Sequence, residues 1–118
     1  MKENAIKDKS YQFALKIIRF YKYLIENKKE YVIAKQILRS GTSIGAMVEE
    51  SNQAESKADF IHKLSIANKE ANETYYWLRL LKDSEITSSQ HLPLHDDCEE
   101  LIRLLTTIIK STKSNLKN

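Results

Sequence analysis

Apolar residues recur along this chain in steps of three and four, the period of helices that bury one face. The first stripe, Phe13, Ala14, Ile17, Ile18, Tyr21, Leu24 and Ile25, predicts a helix over about 10–27. Ser10 is its expected N-cap, because a hydroxyl there can accept from an orphan backbone N–H. Ile33, Ile37, Ser40 or Gly41, Ile44 and Val48 predict a second helix over 30–51. Phe60, Leu64, Ala67, Ala71, Thr74, Leu78 and Leu81 form a heptad seam on a third, over 56–82. Leu94, Cys98, Leu101, Leu105, Ile108 and Thr112 mark a fourth, over 93–114. The pattern predicts an all-α, up-and-down antiparallel bundle of four helices in one domain, residues 1–118.

The connections agree with that reading. Ser56 followed by Asp59 resembles a capping box with Asp in place of Glu. Pro93 is tolerated in a first helical turn. Gly41 and Gly45 lie inside the second helix, where each costs about 1 kcal/mol relative to Ala. They share a face, which predicts close approach of another helix.

Two glycines and one proline in 118 residues leave few turn formers for a sheet-rich fold. The net charge of +3 is mild, but its distribution is uneven. Residues 1–30 hold eight Lys/Arg against four Asp/Glu, and the remainder sums to −1. Lys9, Lys16, Arg19 and Lys22 fall on the polar side of the first helix and are the candidate nucleic-acid contacts. No apolar run reaches the ~20 residues of a membrane span, and no signal-peptide core precedes the first helix. The expectation is a cytoplasmic protein with no membrane partner.

More apolar surface is present than one core needs. Ile66, Tyr76, Trp77 and Leu80 point away from the seam of the third helix, and Phe20 and Tyr23 sit at the edge of the first stripe. These six are the candidate oligomer interface, since monomers rarely expose large apolar patches.

Candidate chemistry is sparse. Glu49, Glu50, Glu70 and Glu73 are the carboxylates that two neighbouring helices can bring together, with Arg39 and Arg79 available to neutralise them. A structural polar network is the expectation. A di-iron bundle needs two Glu-x-x-His pairs, and Asp59-x-x-His62 is one imperfect copy. His91 and His95, separated by Pro93, are expected at the surface. Cys98 sits on an apolar stripe among acids, which disfavours thiolate, and is expected to be an inert core residue. Ser40 and Ser43 have no placed base. No phosphate loop or zinc spacing is present, and no metal or cofactor is expected.

The stretch Gln36 to Leu81 carries a family resemblance. Arg39-Ser40-x-x-Ser43-Ile44, the pair Glu49-Glu50, Phe60-x-x-x-Leu64-x-x-Ala67 and Trp77-Leu78-Arg79-Leu80 stand at family-like separations. The text resembles the bacterial four-helix-bundle proteins first noticed as reading frames in intervening sequences of 23S rRNA genes. It is strong over about two helices and extends to the rest in length and pattern. The resemblance implies a four-helix bundle and a homopentamer. It also implies kinship with accessory proteins of diversity-generating retroelements, which work with a reverse transcriptase and nucleic acid. Met47 and Glu50 depart from the family text, where many relatives have Asn and Gly. Together these readings predict a non-enzymatic homo-oligomer acting as an adaptor for RNA, DNA or a nucleic-acid enzyme. A pure protein-interaction module is the alternative, with a carboxylate–metal enzyme behind it.

Overall fold

The structure, a computed structural model, describes residues 2–117. Met1 and Asn118 of the expected domain lie outside the described residues. Four helices, α1 (Lys2–Asn27), α2 (Val32–Ser51), α3 (Lys57–Asp83) and α4 (Leu92–Lys117), follow in order, with a short 3₁₀ turn, Ser89–His91, leading into α4. Each helix packs on the next, and α4 returns to α1. The result is an up-and-down antiparallel four-helix bundle measuring 51 × 21 × 21 Å. The α2–α3 interface is the densest and the α1–α4 interface the sparsest. Among the described residues, no helix is long and apolar enough to cross a membrane.

The first helix begins eight residues before the expected start. Ser10 is not a cap: it is buried within α1, and its hydroxyl donates to the Lys7 carbonyl at 3.2 Å. The physical reason is Ile6. Ile6, Ser10, Phe13, Ile17, Phe20 and Leu24 make one inward seam in alternating steps of four and three, and all are buried. That phase rotates the expected stripe. Phe20, placed by pattern at an interface, is only 4% exposed and belongs to the core, whereas Ile18 is 38% exposed.

The other boundaries follow local chemistry. At the start of α2 the cap position is held by Tyr31, which offers no side-chain bond. Glu30 substitutes, its carboxylate accepting from the N–H of Ile33 at 2.6 Å and of Ala34 at 3.0 Å. An acidic group is favourable at that positive helix end. At α3 the capping box forms as expected. Ser56 Oγ accepts from Asp59 N–H at 3.0 Å, and the Asp59 carboxylate accepts from Glu55 N–H at 3.2 Å. Lys29 and Glu85 adopt positive φ, 54° and 66°, where the chain leaves α1 and α3.

The heptad seam of α3 is buried from Leu64 to Leu81, while at its first step Ile61 is buried and Phe60 is half-buried. It meets Ile37, Ile44 and Val48 of α2, Leu101 and Leu105 of α4, and the seam of α1 in one core. Fully burying each such side chain contributes roughly 1.5–3 kcal/mol. Both glycines of α2 face α1. A Cβ on Gly41 would stand 2.8 Å from Ile17 Cγ1, so the absent side chain is the space that Ile17 fills.

Candidate functional site

Three surfaces collect the polar and unburied apolar residues of the bundle. The first is the basic edge of α1. Antiparallel packing sets α1 beside the acidic first turns of α4, and this divides the four candidate cations. Lys9 pairs with Glu100 at 3.2 Å and Lys16 with Asp97 at 2.8 Å. Arg19 and Lys22 are exposed and make no ion pair among the described residues. Half of the stripe thus latches α1 to α4, and half remains available to an anion.

Beyond the latch, the α1–α4 seam opens into a groove of 340 Å³. Phe20 and Leu94 form its floor, Tyr23 and His91 its walls, and Lys16, Arg19 and Asp97 its rim. The three rings touch one another. Tyr23 and His91 have centroids 4.7 Å apart, Phe20 and His91 4.9 Å, and Phe20 lies nearly parallel to Tyr23 at 6.3 Å. The histidines depart from expectation. His91 is half-buried in this groove, and His95 is buried with its ring edge-on to Tyr75 at 6.0 Å. The reason is packing: His95 lies against Tyr75 of α3 in the first turns of α4, and the 3₁₀ turn before α4 sets His91 against Phe20 and Tyr23 of α1. Burial is the main cause that lowers both imidazoles below their ordinary value, assisted by Lys28 at His91 and by Lys82 at His95.

The second surface is the α2–α3 face. Arg39 donates to both carboxylate oxygens of Glu70 at 3.2 Å and also bonds Glu73. Glu73 in turn accepts from the Trp77 indole N–H at 3.0 Å. The Trp77 bond, then Arg39, hold the Glu73 carboxyl below its usual value against the opposing effect of burial. Lys63 pairs with Glu50 at 3.3 Å. Glu49 lies elsewhere, in a groove between α1 and α2 with Lys7 and Tyr11. Arg79 is exposed and makes no ion pair among the described residues. The four acids therefore occupy three separate places. Among the described residues, no three His, Cys, Asp or Glu side chains group as metal ligands.

The six residues assigned to an interface separate too. Phe20 is core and Tyr23 lines the α1–α4 groove, while Ile66, Trp77 and Leu80 are half-buried and Tyr76 is exposed on α3. Tyr76 rests edge-on against Trp77 at 5.4 Å. The third surface, not singled out from the pattern, is the outer side of α1. Tyr11, Leu15 and Ile18 are 57, 36 and 38% exposed at positions i, i+4 and i+7. Beside them run the small residues Ala14, Thr42, Gly45 and Ala46, which leave a shallow trough between α1 and α2. The signal for this stripe was the phase set by Ile6: once the inward seam is fixed, Ile18 must face out.

Cys98 is buried and donates its S–H to the Ala71 carbonyl at 3.2 Å. Burial, with Glu99 and Asp97 nearby, pushes its thiol up to about 12. A network missed in the sequence joins α3 to α4, where the Tyr75 hydroxyl donates to Glu99 at 3.0 Å.

The model of the 23S rRNA-intervening sequence protein family matches residues 2–107. The chain belongs to that family. Among solved structures, a protein of unknown function from the S23 ribosomal protein family of Bacteroides thetaiotaomicron VPI-5482 is 54% identical. The match covers 93% of this chain and 99% of that one, with a TM-score of 0.91. No curated protein matches the chain. The 23S rRNA-intervening sequence family thus accounts for the bundle from α1 well into α4.

Proposed function

We propose that this protein is a non-enzymatic, homo-oligomeric helical-bundle assembly of the cytoplasm. It serves as an adaptor that engages nucleic acid, or an enzyme acting on it, through the basic side of α1. The observation that carries the reading is the uncovered apolar stripe Tyr11–Leu15–Ile18, bordered by the cations Arg19 and Lys22, which make no ion pair among the described residues. A second copy covers the stripe, and the shallow trough of small residues beside it admits close packing. Family resemblance supports five copies. Assembly repeats Arg19 and Lys22 around the particle, so that individually weak phosphate contacts act together by counterion release and effective concentration.

Light scattering on the eluting protein tests the assembly. The expected mass is several chains, falling to one chain in Leu15→Glu/Ile18→Glu with helix content retained. A monomeric parent protein at micromolar concentration sinks the reading. Anisotropy with a labelled single-stranded RNA tests the adaptor role: binding weakens with salt and is lost in Arg19→Glu/Lys22→Glu. A second reading, a protein-interaction module without nucleic acid, is favoured by the commitment of Lys9 and Lys16 to Glu100 and Asp97. It predicts no salt-sensitive RNA binding at all.

A further inference from the structure

We infer that the α1–α4 groove is a stacking pocket for one unpaired base of a single-stranded nucleic acid, with the strand's phosphates on the Arg19 side of its rim. This rests on the nucleic-acid reading above and assigns that reading a contact site.

The groove has three properties that one ligand class satisfies together. Its floor and walls are apolar and aromatic, built by Phe20, Leu94, Tyr23 and His91. Aromatic side chains accept any base by its π-face, and single-strand binders pair such platforms with a cationic track. Its rim is cationic. Arg19 is unpaired among the described residues, Lys16 is shared with Asp97, and the charge of Lys28 reaches His91. Its volume, 340 Å³, lies at the lower end of small-ligand sites, ~300–1,000 Å³.

Nδ1 of His91 is itself closed off, with no hydrogen-bond partner among the described residues, so the ring offers a ligand its face and not that nitrogen. Burial keeps the His91 ring in its neutral form near neutral pH, which suits a flat stacking wall.

Other occupants match less of the site. An acidic peptide suits the rim and leaves the aromatic walls unused. An aliphatic segment fills the floor and leaves Arg19 unused. Duplex bases are already stacked and cannot enter, so the ligand is single-stranded.

Anisotropy on the full chain tests this with three probes: a single strand of about ten nucleotides, its abasic counterpart, and a duplex, a length within the usual site size. The base-bearing strand is expected to bind about tenfold tighter than the abasic one, the scale of one stacking contact. Tyr23→Ala and His91→Ala should remove that difference and leave the salt dependence intact. His91→Phe, which keeps a ring, should retain most of it. Should Tyr23→Ala fail to fold, ring-current shifts of the His91 protons in the parent protein report stacking directly. Equal binding of base-bearing and abasic strands, or full competition by polyglutamate with no His91 shift, overturns the pocket while the adaptor reading stands. No binding by any strand overturns both.

Discussion

Ser10 of α1 and Gly45 of α2 meet backbone to backbone: a Cβ on Gly45 would stand 3.3 Å from the Ser10 carbonyl oxygen. That oxygen belongs to a helix and cannot swing aside as a side chain does. Gly45→Leu should therefore force α1 off α2 and destabilise the bundle by at least the ~1–3 kcal/mol of an overpacked core. Gly45→Ala gains about 1 kcal/mol of helix propensity against a tight contact, and its net change should be small. Urea unfolding midpoints check both. A Leu variant as stable as the parent would mean that the helices part without cost.

The buried hydroxyls of Ser40 and Thr74 lie 2.8 Å apart, and Thr74 also reaches the Glu70 carbonyl at 2.8 Å. Removing the Thr74 hydroxyl orphans Ser40, whereas removing Ser40 leaves Thr74 its bond to the Glu70 carbonyl. Thr74→Val should cost about 1–3 kcal/mol and Ser40→Ala about 0.5–1.5 kcal/mol, while the double variant costs clearly less than their sum. Strict additivity in a denaturation cycle would contradict the pairing.

Much of the architecture is legible in the chain. The heptad from Leu64 to Leu81 and the Ser56–Asp59 box each state their structure locally, because helix period and capping are short-range physics. The start of α1 misleads for the same reason, since Ser10 has the chemistry of a cap and only the phase of Ile6 with Phe13 shows that the helix continues through it. The surfaces are less legible. Arg39 with Glu70 and Glu73 follows from two adjacent helices facing each other. Lys9 with Glu100 depends on the register between the first and last helices, which no local pattern encodes. His91 reaches Phe20 and Tyr23 only because the turn before α4 folds back over α1.

Trp77 is the only tryptophan, and its indole bonds Glu73, so its emission should report the Glu73 carboxyl. That group titrates below its ordinary 4.5. A lowered carboxyl contributes stability that is present above the unfolded value and lost as pH falls through the folded one. An emission transition below pH 4.5 is expected, moving upward in Arg39→Ala and disappearing in Glu73→Gln. Overall stability should change little, since exposed ion pairs contribute about 0.2–1 kcal/mol. A transition unaffected by Glu73→Gln would detach Trp77 from the network.

The histidines define a separate pH window. Burial lowers His91 and His95 from 6.5, so the unfolded chain takes up protons first as the solution is acidified. Their contribution is complete above pH 6.5 and is lost as pH falls through the folded values. The melting temperature should be flat above about pH 7 and decline below pH 6.5, before the carboxylates titrate. His95→Phe, which keeps a ring against Tyr75, should shallow that decline. An unchanged slope in scanning calorimetry would assign the decline to other groups.

The sparse seam between α1 and α4 gives the molecule an order of opening. Three interfaces join helices consecutive in the chain, while Lys16 and Asp97 close the fourth across 81 residues. Closing that loop carries the largest chain entropy, and it is rewarded by the fewest contacts. Folding should therefore nucleate on the dense α2–α3 hairpin and end by docking α1 on α4. In the native state the same seam is the lowest-energy hinge, so amide exchange should reach α1 before α3. The aromatic groove lies along this hinge, and whatever occupies it would hold the first and last helices together.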